Sequence, residues 1–221
     1  MTFRPKYISF DCYGTLIDYK PNDMARAIFA DRVPAARMPQ FLADFTAYRL
    51  DEVLGPWQPL GDVLKNALRR LCLRWKLQYV DAEAQRICDA VPTWGPHPDT
   101  VAGLAKIAHE IPLVILSNAD DKDILKNVAL LEVPFHRVYT AEQAQAYKPR
   151  LRPFEYMIDA LGCDPGEILH VSSSLRYDLM SAHDVGIRNK VWINRGHGPG
   201  TPEYGYTEIA DAGGLAAVVG L

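Results

Sequence analysis

The residues of this chain best suited to chemistry stand at the ends of apolar runs. Tyr7-Ile8-Ser9-Phe10 is rich in aromatic and β-branched residues and stops on Asp11, with Cys12-Tyr13-Gly14-Thr15-Leu16 behind it. A run of that kind reads as a short buried strand. A carboxylate at its carboxyl end looks out over the sheet edge, where open α/β sheets bind ligands. Gly14 allows a sharp turn there, and N–H groups freed by the turn can hold an anion. Asp11 is therefore placed to meet a substrate, although an Asp shortly before a Gly is also an ordinary turn residue.

Three more runs end on polar groups. Leu113-Val114-Ile115-Leu116 leads to Ser117-Asn118, a third region leads to Tyr147-Lys148-Pro149, and Ile168-Leu169-His170-Val171 leads to Ser172-Ser173-Ser174 with Asp178 a turn later. Each alone has a plain explanation, since Ser-Asn after a strand often caps a helix. Four such ends at one sheet edge are harder to explain as caps. Cys12 sits beside Asp11, but strand alternation turns it to the other side, and it reads as a packing residue. None of the six histidines has metal-ligand spacing with another His or Cys, and His170, mid-strand, reads as buried and hydrogen-bonded.

The elements that must position these groups follow from the periodicity. From residue 99 onward helix and strand alternate: helices at 99–109, 122–130, 153–161 and 177–184, strands at 113–116, 137–139, 168–171 and 190–193. That alternation predicts a parallel sheet with helices on both faces. Between the first strand and this region only helices are legible. Asn22 is placed to cap one with Met24, Ile28 and Phe29, a second spans 41–54, Pro59 opens a third, and 81–91 is a fourth. The expected fold class is α/β, a doubly wound, Rossmann-like parallel core formed by residues 1–16 and 96–221, with an all-helical cap domain at 17–95 inserted into it.

Composition narrows the functional classes. A chain of 221 residues with 48% hydrophobic and 23% charged residues suits a globular core plus one insert. A net charge of −3 without a Lys/Arg run argues against nucleic acid or an anionic membrane as partner. No signal-peptide pattern and no apolar span of membrane length is present, and the four cysteines are scattered. A cytoplasmic protein with reduced thiols is the expectation.

Phe10-Asp11-Cys12-Tyr13-Gly14-Thr15-Leu16 resembles the first motif of the haloacid dehalogenase superfamily, and the other three strand ends resemble its remaining motifs. The resemblance implies that Asp11 is a nucleophile forming an ester, that Thr15 and Ser117 orient it, and that Lys148 keeps it ionised by lowering its pKa. It also implies that Asp178 positions Lys148 and activates the hydrolytic water. Most of the superfamily are phosphatases with a second Asp two residues after the nucleophile and a Gly-Asp at the fourth motif for Mg²⁺. Here those places hold Tyr13, whose phenol is a poor acid at neutral pH, and the serine run. Both departures point to chemistry without metal or cofactor, and the chain resembles the 2-haloacid dehalogenases within the superfamily.

That branch implies a small-molecule carboxylate substrate, with Asn118, Ser172, Ser173 and Ser174 as donors and Tyr13, Phe154 and Tyr177 around them. Arg49, preceded by Tyr48 on a cap helix, matches the branch's halide-facing arginine. Phe154 stands where the branch has Tyr, and Ser174 where it has Asn. Homodimers are common in the family, and a homodimer is carried over on that ground alone. The expected reaction is halide displacement from a short 2-haloalkanoic acid by Asp11, then ester hydrolysis to a 2-hydroxy acid. Three alternatives stay open: the same displacement on a non-halide substrate such as a strained cyclic amino acid, a divergent phosphatase, and a non-catalytic carboxylate-binding protein.

Overall fold

β1 (Tyr7–Phe10) is the centre of the sheet, because its buried side chains can be covered from both faces only in that position. The computed structural model describes residues 3–221; residues 1 and 2, which the sequence reading included in the core, lie outside the described residues. The sheet is completed by β2 (Leu113–Ser117), β3 (Arg137–Thr140), β4 (Ile168–Ser172), β5 (Asn189–Ile193) and β6 (Thr207–Ile209), in the order β3-β2-β1-β4-β5-β6. All pairings are parallel. The order reverses between β1 and β4, so Asp11 and the Ser172-Ser173-Ser174 run flank the switch point where such sheets bind ligands.

The chain divides into two compact units. One takes the chain up to Asp18 together with Gly95–Leu221, and the other is Tyr19–Trp94. The second is wholly helical, with α1 (Pro21–Phe29), α2 (Met38–Leu54), α3 (Leu60–Trp75) and α4 (Asp81–Ala90). Its core is made by Phe41, Leu42 and Phe45 of α2 with Val63, Leu64, Ala67, Leu68 and Leu71 of α3, all buried. The Phe41 ring sits 5.0 Å from Phe29 and 5.2 Å from Trp75. No described helix is long and apolar enough to cross a membrane.

In the first unit α5 (Thr100–Ala105), α6 (Asp121–Ala129), α7 (Ala141–Ala144), α8 (Arg152–Leu161), α9 (Met180–Asp184) and α10 (Leu215–Val219) accompany the strands. One core face brings Phe154 and Met157 of α8 onto Val114, Leu116, Tyr139 and Ile168 of the sheet.

Several local expectations shift. Asn22 does not cap α1. Pro21 starts that helix, since its missing N–H costs nothing in the first turn, and Asn22 instead donates to Thr46 Oγ1 at 3.1 Å. The helix expected at 99–109 is regular only to Ala105, and α2 begins at Met38, before the first residue expected. The segment after Ser174 opens as a π turn, Leu175–Leu179, with Leu179 N–H bonded to Ser174 O at 3.2 Å, before α9 continues it. β6 and α10 were not foreseen, being too short for a period to show.

The turn after β1 is strapped from outside. Gly14 adopts φ +90°, a conformation that any side chain would resist. Arg195, just past β5, donates through Nε and Nη2 to Thr15 O at 3.2 and 3.0 Å. The same guanidinium grips Asp99 in bidentate fashion at 2.7 and 2.9 Å. Burial would push the Asp99 carboxyl up, but hydrogen bonds from Arg195 and from Ala212 N–H hold it at about 2, against 3.8 for an ordinary aspartate. A carboxyl depressed on folding adds stability above its unfolded pKa and loses it as pH falls through the folded one. Asp99→Asn is thus expected to cost about 2 kcal/mol at neutral pH. Urea unfolding as a function of pH checks this: the gap to wild type should close between pH 3.8 and about 2.

Candidate active site

Lys148 is the hub of the strand-end cluster. Its ammonium donates to Asp11 Oδ1 at 2.9 Å, to Asp178 Oδ1 at 2.5 Å and to Leu116 O at 2.6 Å. An ammonium has three protons, and all three are used. The backbone of Lys148 is fixed as firmly. Asn118 Nδ2 donates to Lys148 O and Lys148 N–H donates to Asn118 Oδ1, each at 2.8 Å, while Ser181 Oγ donates to Pro149 O at 2.6 Å.

Asp11 is held from its other side by Thr15, whose hydroxyl donates to Oδ2 at 2.6 Å. Thr15 Oγ1 in turn accepts from Ser173 N–H at 2.8 Å, which fixes the direction of its proton. Asp178 comes from the π turn. Ser174 Oγ accepts from Tyr177 N–H at 3.1 Å at the start of that turn, and the wider turn presents Asp178 to Lys148. Of the four carboxylate oxygens of Asp11 and Asp178, only Oδ2 of Asp178 has no hydrogen-bond partner.

The two acids differ in strength. Burial raises the Asp11 carboxyl above its ordinary value, and the Asp178 charge adds to that, against the pull of Lys148 and Thr15. Asp178 is also disfavoured by burial, yet Lys148 and His170 together hold it below the ordinary value. Lys148 itself is raised, because the two acids outweigh its own burial. Lys148 does pull the Asp11 carboxyl down, but burial and the Asp178 charge outweigh that pull, so the expected net lowering is corrected to a rise. One ammonium is shared by two carboxylates, with Thr15 as the further partner of Asp11 and His170 as that of Asp178.

Several residues expected to face substrate are engaged elsewhere. The Asn118 side chain is spent on the Lys148 backbone. Ser172 Oγ accepts from Ser174 N–H at 3.0 Å, and Ser173 Oγ donates to Gly14 O at 2.9 Å and lies 3.3 Å from His197 Nδ1. With Ser174 serving as a cap, the serine run mainly builds the turns around Asp11 and Asp178. Phe154 is fully buried, edge-on to the His170 ring at 5.1 Å, and is a core residue rather than a substrate wall. Ser117 makes no hydrogen bond to Asp11: its hydroxyl is buried with no hydrogen-bond partner. Tyr13 donates to Asn127 Oδ1 at 3.0 Å, and Tyr177 is half-buried in the π turn. Cys12 is buried, and burial with the neighbouring Asp11 charge pushes its thiol far up, so it remains a neutral packing group.

Arg49 belongs to the helical unit. Its Nη2 donates to Asn22 Oδ1 and Thr46 Oγ1, each at 3.1 Å, and its guanidinium lies 4.9 Å from the Phe45 ring. Its Nε is buried without a partner. Sequence reasoning missed three participants: His170 as a partner of Asp178, Ser9 behind it, and the Arg195 strap. The signal for the first two was available, since Ser9 and His170 are polar residues inside otherwise apolar strands and lie directly opposite one another in register.

These residues do not suit a divalent cation. The Lys148 ammonium already bridges the two carboxylates, the place two residues past Asp11 is a phenol, and the described residues contain no group of three or more His, Cys, Asp and Glu side chains arranged for a metal.

A parallel α/β core with a carboxylate pair about a buried lysine at its switch point defines a hydrolase-type site. The family model of haloacid dehalogenase-like hydrolases matches residues 5–186, and the chain belongs to that family. It is 30% identical over 213 residues to (S)-2-haloacid dehalogenase 4A of Burkholderia cepacia, covering 90% of this chain and 87% of that one. In fold it is similar to the crystal structure of the L-2-haloacid dehalogenase RSc1362, with TM-score 0.82, 24% identity and full coverage of both chains. The L-2-haloacid dehalogenase of Xanthobacter autotrophicus with chloropropionic acid covalently bound gives TM-score 0.78 at 20% identity, over 97% of this chain and 98% of that one.

Replacing Lys148 by Met leaves two buried carboxylates without a cation. The expected cost is about 3–5 kcal/mol at neutral pH, as for other buried ion pairs that lose one member. At least one carboxyl would then take up a proton on folding. A raised folded pKa makes stability fall as pH rises, so Lys148→Met should lose ground to wild type from pH 5 to pH 8 in denaturant titrations.

Proposed function

We propose that this protein is a metal-independent 2-haloacid dehalogenase in which Asp11 is the nucleophile. The observation that carries the reading is the Asp11 carboxylate at the switch point, held by Lys148 and Thr15, with the Tyr13 phenol two residues on engaged with Asn127. A halide leaves without a proton, so displacement needs no acid, whereas an alkoxide leaving group would. The 30% identical relative that bears the (S)-2-haloacid dehalogenase name supports the same class of substrate.

In the first step an oxygen of Asp11 bonds to C2 of the substrate and the carbon–halogen bond breaks, with inversion at C2. The unpartnered Ser117 hydroxyl suits the substrate carboxylate, and Arg49 is the residue proposed for the departing halide. In the second step a water oxygen bonds to Cγ of Asp11 and its proton goes to Asp178. The bond from Cγ to the ester oxygen breaks, the alkoxide takes the proton from Asp178 to give the 2-hydroxy acid, and the regenerated Asp11 carboxyl loses the second water proton. One proton per halide is left for solvent. Alignment of the reacting atoms in a water-poor site supplies much of the rate.

Halide release from racemic 2-chloropropionate and from chloroacetate, with EDTA present, tests the proposal. Wild type is expected to release halide and leave one enantiomer, and Asp11→Asn to release none. Mg²⁺-dependent phosphate release from a generic ester, with no halide release, would overturn it. Because burial raises the Asp11 carboxyl, the acid limb of kcat/KM is expected above pH 3.8, the ordinary aspartate value, with activity lost as pH falls through it. A pH–rate profile reads that limb directly.

A further inference from the structure

His170 is a buried imidazole that the two-step reaction above does not use. It stands in the middle of β4, and both ring nitrogens are engaged. Nε2 lies 3.2 Å from Asp178 Oδ1, and Nδ1 lies 2.8 Å from Ser9 Oγ on the adjacent strand. Phe154 closes the remaining side with its edge. Ser9 and His170 are both fully buried, so this chain of bonds ends inside the core and leads no proton to solvent.

The hydrogen-bond roles follow from the acceptor. An ionised carboxylate accepts only, and Asp178 Oδ1 already receives a proton from Lys148. His170 must therefore present Nε2–H to Asp178. With a neutral ring, Nδ1 then accepts the Ser9 hydroxyl proton, and Ser9 fixes the tautomer. Two donors, Lys148 and His170, thus converge on Oδ1, while Oδ2 of the same carboxylate is buried and bare. A base in ester hydrolysis needs one free oxygen, held in a fixed direction and ionised while Asp11 is esterified.

We infer that His170, set by Ser9, is a positioning residue that reserves Oδ2 of Asp178 for the water that hydrolyses the Asp11 ester. The role belongs to the second step only. Esterified Asp11 has lost its charge, so Lys148 and His170 then act on Asp178 alone and keep it a carboxylate. The proton taken from water goes to Oδ2, away from both donors. The inference rests on the proposed two-step reaction, and it divides the site into two parts. Thr15 serves the attack by Asp11, Lys148 serves both steps, and His170 and Ser9 serve the release of product.

The test separates the steps in His170→Phe, which keeps the ring volume, and His170→Gln, whose amide can still donate to Asp178. In His170→Phe, 2-chloropropionate is expected to give a burst of about one halide per chain, followed by turnover slowed roughly 100-fold, the lower range for loss of a general base. The ester on Asp11 should then be visible as added mass in the intact protein. Slowing only the second step lowers kcat and KM together, so kcat/KM should hold. His170→Gln should recover most of kcat. Ser9→Ala should show a milder form of the same pattern, and it decides the matter if His170→Phe does not fold. Unchanged kcat in both His170→Phe and Ser9→Ala would overturn the inference, and so would loss of the halide burst in a folded His170→Phe. Absence of halide release by wild type would instead overturn the proposed reaction itself.

Discussion

A lysine side chain that is only 1% exposed has to hand every one of its protons to an acceptor, and the surroundings of Lys148 are built to that requirement. Two carboxylates and the Leu116 carbonyl take them. Each acceptor comes from a different part of the chain: β1 supplies Asp11, β2 the carbonyl, and the π turn after β4 supplies Asp178. The ion cluster therefore forms only when the parallel sheet is in register. Desolvation of three charged groups is costly unless the geometry is good. That cost explains the supporting bonds, such as the Asn118 amide on both polar groups of the Lys148 backbone.

The same constraint shapes the chemistry. One cation between two acids cannot neutralise both, and the contest is settled by neighbours. Thr15 contributes a neutral hydroxyl to Asp11, whereas His170 contributes a ring N–H to Asp178. Burial is left to raise Asp11, which makes a carboxylate poorly solvated and correspondingly reactive when ionised. Asp178 is left as the stronger acid with one free oxygen. The serine run, which by type alone suggests substrate donors, is largely consumed in holding these two acids in place.

Around the site, the turn after β1 depends on groups far away in sequence. Arg195 reaches Thr15 O from beyond β5 and is itself braced by Asp99 at the head of α5. The His197 ring sits beside Ser173 and would only be in ordinary contact with a Cβ on Gly14, so it is the φ of +90° that calls for glycine there. The geometry at Asp11 thus draws on the C-terminal segment of the sheet as well as on the first motif.

Sequence alone determined a good part of this. Apolar runs ending in Asp11, Ser117 and Ser172, alternating with helical periods, specify a parallel sheet whose carboxyl edge carries the polar groups, since strand burial and crossover rules leave few other arrangements. The pairing of Lys148 with Asp11 and Asp178, and of Thr15 with Asp11, was legible through the motif resemblance. Tertiary structure alone decided the rest. Which hydroxyls face outward and which serve as caps depends on turn geometry, as Ser172, Ser173 and Ser174 show. The place of Phe154 in the core and of His170 against Asp178 depends on helix packing and turn geometry, and the Ser9 contact that completes it depends on strand register across more than a hundred residues of chain. The acidity order of the two carboxylates depends on burial and on distances of a few ångströms, and a one-dimensional string of residue types has no measure of either.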